Sequence, residues 1–140
     1  MENQPTVITV EATINAPVAK VWACWTKPEH ITQWCQASDD WHAPKAENDV
    51  RVGGTFSTTM AAKDGSFSFD FGGVYDVVTE NEILEYTLGD GRRVWLKFAA
   101  DGDKTHITER FEAENQNPVE MQQGGWQAIL NNFKKYTEHN

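Results

Sequence analysis

The amino-acid sequence predicts an α+β domain in which a curved antiparallel sheet of about six to seven strands is covered by a long C-terminal helix. Three observations predict it: an alternating N-terminal segment, a series of alternating segments separated by turns about every ten residues, and a helical stripe of apolar residues near the C-terminus. The regular turns are typical of sequential antiparallel strands rather than of βαβ units. The 140 residues fit one domain, 1–140.

The N-terminal region predicts one strand followed by two short helices. Apolar and polar residues alternate over 6–14, as in a half-buried strand. Pro17 suits the first turn of a helix, and apolar residues then recur at spacings of three and four as far as Trp25. Pro28 suits the start of a second short helix, which carries Trp34.

The middle region predicts a meander of strands. Residues 37–48 are polar and weakly patterned, which indicates a loop with a short strand near 40–46. Alternating segments follow, with a hairpin turn at Asp64-Gly65 and a β-bulge at Gly72-Gly73. The later strands contain the apolar positions of 84–88, 94–98 and 107–111.

The C-terminal segment predicts the long helix, which should run to about Thr137. Asn117 is expected to cap it, with Pro118 at the first helical position and Glu120 completing a capping box. Gly124-Gly125 lies inside the helix at a cost of about 1–2 kcal/mol, which close packing or a bend is expected to offset. Its apolar stripe contains Val119, Trp126, Ile129, Leu130 and Phe133. One helix covers so long a sheet only if the sheet curls, and a curled sheet leaves space beneath the helix.

The composition excludes several classes of partner. The net charge is −9 and the lysines and arginines are scattered, so we expect no nucleic-acid binding. No apolar run approaches the ~20 residues of a membrane span, and no apolar segment typical of a signal peptide follows Met1. We therefore expect a cytoplasmic protein whose two cysteines are reduced.

The sequence contains no complete catalytic or metal-binding pattern. Neither Cys24 nor Cys35 has a histidine in a motif relation to it, which favours inert thiols. The four histidines are far apart and lack the spacing of metal ligands. The glycine pairs lie in strands rather than before a helix, so phosphate binding is not indicated. We accordingly expect no catalytic residue, no metal and no cofactor.

Glu109 is the polar residue that the strand pattern singles out. Alternation places it on the same face as Ile107 and Phe111. If that face points inward, the carboxyl group lies in the cavity and must be protonated, paired or bound to a ligand. The alternatives are an exposed position near the strand end or pairing with an arginine.

Large aromatic residues recur on the predicted inner faces. Plain core packing explains them, but inward tyrosines need a hydrogen-bond partner, which a ligand or water in a cavity supplies. We predict that the cavity is lined by Trp34, Phe56, Met60, Phe69, Phe71, Tyr75, Tyr86, Leu96, Glu109, Trp126 and Leu130.

The order of elements, together with local motifs over nearly the whole chain, is similar to a known superfamily. The most specific stretch is Asp49-Val50-Arg51-Val52-Gly53-Gly54-Thr55-Phe56. The other stretches are 14–17 with Val21-Trp22, 28–34, 73–75, 94–98, 105–111, and Gly125-Trp126 with Leu130. On these residues the chain resembles the START-like (SRPBCC) superfamily and, more narrowly, the homologues of the heat-shock-protein-90 ATPase activator.

The resemblance implies the helix-grip fold with a hydrophobic cavity between the sheet and the long helix. Relatives of this fold bind sterols, lipids, polyketides or plant hormones, some are aromatase/cyclase enzymes, and one eukaryotic branch stimulates a chaperone ATPase. No universal catalytic residue is carried over. Binding of a small apolar or amphipathic molecule is the leading hypothesis. The alternatives are a co-chaperone-like module with a chaperone partner, and a cyclase or dehydratase that uses Glu109 or a tyrosine as general acid/base.

Overall fold

The computed structural model describes residues 6–36 and 39–139. These residues form an α+β fold of seven strands and three helices, as the sequence predicts. In chain order the elements are β1 (Val7–Ile14), α1 (Val18–Thr26), α2 (Pro28–Trp34), β2 (Trp41–Asn48), β3 (Thr55–Ala62), β4 (Ser68–Thr79), β5 (Ile83–Leu88), β6 (Arg93–Asp101), β7 (Lys104–Glu112) and α3 (Val119–Glu138).

The seven strands form one curled antiparallel sheet, a half-barrel with the order β1-β7-β6-β5-β4-β3-β2. The strands from β2 to β7 follow each other along the chain, and β1 joins the far edge by pairing with β7. Helix α3 packs against β1 and against both short helices, while α2 packs against β2 at the opposite edge. The helices therefore lie across the concave face and bridge the two edges of the sheet.

The polar segment before β3 is more regular than the sequence predicts. Residues 41–48 form edge strand β2, whose pairing with β3 shifts register between His42 and Lys45. Pro44 lies inside this irregular stretch, where a missing backbone N–H is tolerated because the strand is at the edge of the sheet. Two positions of the predicted loop, 37 and 38, lie outside the described residues.

The predicted bulge at Gly72-Gly73 is wrong. The pairing of β3 with β4 continues through both glycines, and the register shift is against β5, between Tyr75 and Val77. The glycines are required for close approach, because a Cβ on Gly72 would collide with the carbonyl oxygen of Phe56 and one on Gly73 with that of Thr87. They let the backbones of the neighbouring strands come close on both sides of β4.

Helix α3 begins differently from the predicted capping box. Pro118 is the N-cap, and no side chain caps the helix. The turn before it is held instead by Glu114, whose carboxylate accepts hydrogen bonds from the backbone and side-chain nitrogens of Asn117. Gln122 reaches back to donate to the carbonyl oxygens of Glu114 and Asn117, at 3.1 and 2.8 Å. Val119, which was predicted to be on the apolar stripe, is exposed.

The core is densest where the three helices meet above the sheet. Phe133 on α3 is fully buried, and its ring centroid lies 4.8 Å from that of Trp25 and 4.9 Å from that of Trp34. Trp22 on α1 packs edge-to-face on Phe98 of β6 at 5.3 Å. This aromatic cluster joins the helices to one end of the concave face.

None of the described helices is both long enough and apolar enough to cross a membrane.

Candidate ligand-binding pocket

A pocket of about 440 Å³ lies between the concave face of the sheet, α2 and α3. Strands β2 to β5 and β7 supply one side of its wall, and the facing residues of the helices supply the other. The pocket exists because the aromatic cluster fills only one end of the concave face. Its volume falls in the range of small-molecule binding sites.

The structure brings nine of the eleven predicted lining residues into the wall of this pocket. These are Trp34, Phe56, Met60, Phe69, Phe71, Tyr75, Tyr86, Glu109 and Trp126. The other two, Leu96 and Leu130, are not in the wall, because both are sealed inside the core with at most 1% of their surface exposed. Their inward direction was predicted correctly, but the packing around them leaves no open volume.

Glu109 is buried in the wall of the pocket and has no partner among the described residues. It lies in the middle of β7, in register with Val10 on β1 and Leu96 on β6, and only 5% of its surface is exposed. No other described residue donates a hydrogen bond to its carboxyl group or forms an ion pair with it. Burial raises the pKa of Glu109 to about 8, because a charged carboxylate is poorly solvated there. Neither the exposed position nor the arginine pair, the two alternatives considered above, is found.

Three rings beside Glu109 form an aromatic corner. The Phe56 ring centroid lies 4.8 Å from that of Tyr86 and 5.2 Å from that of Tyr75. The Tyr75 hydroxyl donates to Asn48 Oδ1 at 2.6 Å, and Asn48 in turn donates to the Thr26 carbonyl oxygen at 2.7 Å.

The Tyr86 hydroxyl differs, because it has no hydrogen-bond partner among the described residues. Burial raises its pKa well above 10, with further contributions from Glu109, Tyr75 and Cys35. The pocket therefore holds two polar groups, the Glu109 carboxyl and the Tyr86 hydroxyl, that no described protein group satisfies.

Cys35 at the end of α2 is the third titratable group in this part of the wall. Burial, followed by the nearby Glu109, raises the pKa of its thiol to about 12, so the thiol stays protonated. Burial also raises the pKa of Cys24, which lies in α1. Because burial raises both pKa values, neither thiol has the lowered pKa that makes a cysteine reactive.

The remaining charged groups of the wall each have a partner. Arg92 Nε lies 2.8 Å from Asp90 Oδ2, and Glu114 is occupied by the turn before α3. Glu47 is exposed and pairs with Lys45 at 3.4 Å. Among the described residues, no three histidine, cysteine or acidic side chains come together as a metal site.

Comparison with known families identifies the group to which this fold and pocket belong. A family model described as activator of Hsp90 ATPase homolog 1-like protein matches residues 15–138. The chain belongs to this family. The resemblance predicted from the sequence motifs is thereby confirmed, and the fold is consistent with the START-like superfamily.

Solved structures of relatives agree with this assignment. An AHSA1-like protein from Aeromonas hydrophila is 42% identical, with a TM-score of 0.90 over 96% of this chain and 93% of that one. The protein Chr148 from Cytophaga hutchinsonii is 62% identical, with a TM-score of 0.82 over 95% and 92% of the two chains. The protein CV1439 from Chromobacterium violaceum is 22% identical with a TM-score of 0.85 over 96% and 99%, which shows the shared fold alone. A comparison with curated proteins gave no match.

In this member of the activator-homologue family, several wall residues escape prediction from the sequence. The sequence pattern could have indicated Trp25, Ile31 and Ile129, because they lie on the apolar stripes of their helices. No sequence pattern indicates the polar wall residues. Asn48 ends a segment without clear alternation, and Arg92 lies in a turn. Their positions depend on how β2 and the β5–β6 turn approach α3.

The pocket in this family member combines apolar walls with a few polar groups. Its walls are mostly aromatic and apolar, and a few polar groups at fixed positions would orient an occupant. The titratable neighbours of Glu109 in the wall, Cys35, Tyr75 and Tyr86, have raised pKa values and stay neutral near pH 7. The arrangement therefore offers one buried carboxyl group without a partner among the described residues, with neutral hydrogen-bonding groups around an open space.

Proposed function

We propose that this protein binds a small apolar or amphipathic molecule in the pocket between the sheet and α3. The observation that carries the proposal is the open volume of about 440 Å³ into which the unpartnered carboxyl group of Glu109 faces. A buried polar group without a partner costs free energy, and a bound molecule removes that cost. Membership of a family with the START-like fold supports the same reading.

Titration with lipids, flavonoids and polyketide-like aromatics tests the proposal. Four of the six tryptophans lie in the wall, so tryptophan fluorescence and amide chemical shifts should respond to an occupant. The expected result is a saturable response in which the shifted amides are those of the wall. If no compound in such a panel gives one, the proposal is wrong.

Two adjacent glycines of α3 supply a matched pair of variants. Gly125 lies in the wall and Gly124 does not, and a Cβ at either position would meet no atom within 4 Å. Gly125→Leu should place its side chain in the pocket and abolish binding, whereas Gly124→Leu should bind as the wild type does. Equal binding by both variants would place the occupant elsewhere.

A second candidate function is a co-chaperone-like interaction with an Hsp90-type ATPase, which the description of the family suggests. A specific surface feature favours it. Trp41, Phe67 and Phe69 form a cluster at one edge of the sheet, with centroid distances from 5.9 to 6.1 Å, and Phe67 is 58% exposed. Exposed aromatic clusters of this kind often mark protein-binding surfaces.

The steady-state ATPase rate of such a chaperone, measured with and without an excess of this protein, tests the second candidate. We expect stimulation that Phe67→Ala weakens and that Val52→Ala, at another exposed apolar position, leaves unchanged. An unchanged ATPase rate at saturating protein would exclude this function and would leave the ligand-binding proposal intact.

A further inference from the structure

The polar groups of the pocket indicate the charge of its occupant. Four residues with a carboxyl group or a basic side chain occur among the described wall residues: Glu47, Arg92, Glu109 and Glu114. Three are acidic, and the single cation, Arg92, is engaged by Asp90 at 2.8 Å. Glu109 alone among the acidic residues is both buried and without a partner.

From this arrangement, and resting on the ligand-binding function proposed above, we propose that the occupant is an organic amine with an apolar or aromatic body, whose ammonium group pairs with the Glu109 carboxylate. A buried carboxylate is stabilised most by an opposite charge, and the described residues of the wall provide no free cation for that purpose. The occupant would therefore supply the missing charge itself.

The rest of the wall suits such a cation. The aromatic residues Trp34, Phe56, Tyr86 and Trp126 share the wall with Glu109, and the faces of such rings attract ammonium groups. Trp126 is held in place by stacking on Phe111, with a centroid distance of 3.8 Å and 10° between the ring planes. The net charge of −9 attracts cations toward the protein and disfavours anionic occupants such as fatty acids.

Binding of an ammonium group should change the protonation of Glu109. Because burial raises the pKa of Glu109 to about 8, the empty pocket holds mostly the neutral acid at pH 7. An ammonium ion stabilises the carboxylate, so the carboxyl group releases its proton to solvent as the ion pair forms. The titratable neighbours, Cys35 at the end of α2, Tyr75 on β4 and Tyr86 on β5, have raised pKa values and stay neutral. The groups that face Glu109 from β1 and β6, Val10 and Leu96, do not titrate.

Three probes with the same aromatic body distinguish the contribution of charge to binding from that of apolar contact. They are naphthylmethylamine, naphthylmethanol and naphthylacetic acid. Isothermal titration calorimetry in buffers of different ionisation enthalpy gives both the affinity and the number of protons released. We expect the amine to bind about tenfold or more tightly than the alcohol, and the acid to bind most weakly. The amine should release close to one proton at about pH 6.5, the alcohol none, and the affinity for the amine should rise with pH up to about pH 8.

The Glu109→Gln variant should lose both the preference for the amine and the proton release while it still binds the alcohol. Glu85→Gln removes the same charge from the outer face of β5, and it should keep both properties.

Each other outcome has a definite meaning. Equal binding of the amine and the alcohol, tighter binding of the acid, or a preference for the amine that survives in Glu109→Gln overturns the amine proposal alone. If none of the three probes binds up to millimolar concentration, the ligand-binding function falls together with it.

Discussion

At the residue scale, Glu109 connects the pocket to the stability of the fold. In the unfolded chain its carboxyl group loses its proton near pH 4.5, whereas in the folded protein it keeps the proton up to about pH 8. Between these values the unfolded chain binds fewer protons, so the free energy of unfolding falls as the pH rises. A residue that favours ligand binding therefore weakens the empty protein at neutral pH.

The Glu109→Gln variant should remove this pH dependence. Over the window from pH 4.5 to pH 8, we expect the wild type to lose roughly 4 kcal/mol relative to the variant, because one pKa unit corresponds to about 1.4 kcal/mol and the slope flattens at both ends of the window. Urea denaturation of both proteins at several pH values measures the two slopes. Carboxyl groups with lowered pKa values, such as Glu114 and Glu138, act equally in both proteins and below this window. Parallel slopes for the two proteins would contradict the buried, unpaired state of Glu109.

The two tyrosines of the aromatic corner should respond differently to loss of their hydroxyl groups. Tyr75→Phe leaves Asn48 Oδ1 without its donor and should cost about 1–2 kcal/mol of stability. Tyr86→Phe removes a hydroxyl group that has no described protein partner, and it should change the free energy of unfolding by less than about 0.5 kcal/mol. Chemical denaturation of the two variants makes the comparison, and equal costs would argue against the assigned hydrogen bonds.

At the element scale, two adjacent glycines lower the helix propensity of α3, although no close packing requires them. The sequence predicts that close packing or a bend offsets Gly124-Gly125, but the helix continues through both residues and a Cβ on either would meet nothing within 4 Å. Gly125 borders the pocket, so the absence of a side chain there leaves room for an occupant rather than for the sheet.

Alanine at either glycine should therefore stabilise the protein. We expect Gly124→Ala and Gly125→Ala each to raise the free energy of unfolding by about 0.5–1 kcal/mol, because alanine restricts the unfolded chain and favours the helix. Thermal or urea denaturation measures the effect. Destabilisation by either substitution would reveal a close contact and contradict the open space found there.

The elements themselves were largely predictable from local patterns. The alternation of β5, β6 and β7 and the apolar stripes of α1 and α3 gave the right type of structure, because each pattern repeats over several residues. Strand β2 was predicted as a short strand near 40–46, and its length was underestimated because an edge strand that contains Pro44 and a register shift lacks regular alternation. The start of α3 was predicted with the wrong cap, because Glu114 and Gln122 hold the preceding turn through contacts that no short motif encodes.

At the scale of the whole molecule, one aromatic cluster connects the three helices to one another and to β6. Phe133 contacts Trp25 of α1 and Trp34 of α2, so it joins all three helices. The same cluster fills one end of the concave face and leaves the other end open as the pocket. The stabilising aromatic cluster and the open pocket therefore lie at different positions along α3.

Truncation of Phe133 tests how much the aromatic cluster contributes to stability. We expect Phe133→Ala to cost about 3–5 kcal/mol, as for other fully buried aromatic residues. Met121→Ala, at a position of α3 that is 62% exposed, should change stability by less than about 0.5 kcal/mol. Urea denaturation followed by tryptophan fluorescence compares them. Similar costs for both variants would show that α3 does not depend on this cluster.

Local patterns were sufficient to predict the order of the elements, the curled sheet beneath a long helix, and the inward direction of residues such as Glu109. Periods of two and of about 3.6 are local properties, which short stretches of chain express before any tertiary contact forms. Local patterns do not show which inward residues border open space and which are sealed, as the contrast between Trp126 and Leu130 on one helix demonstrates. Nor do they show that Glu109 has no partner among the described residues. Both outcomes depend on distances between elements far apart in the chain, which are set by the curvature of the sheet and the volume that the helices fill.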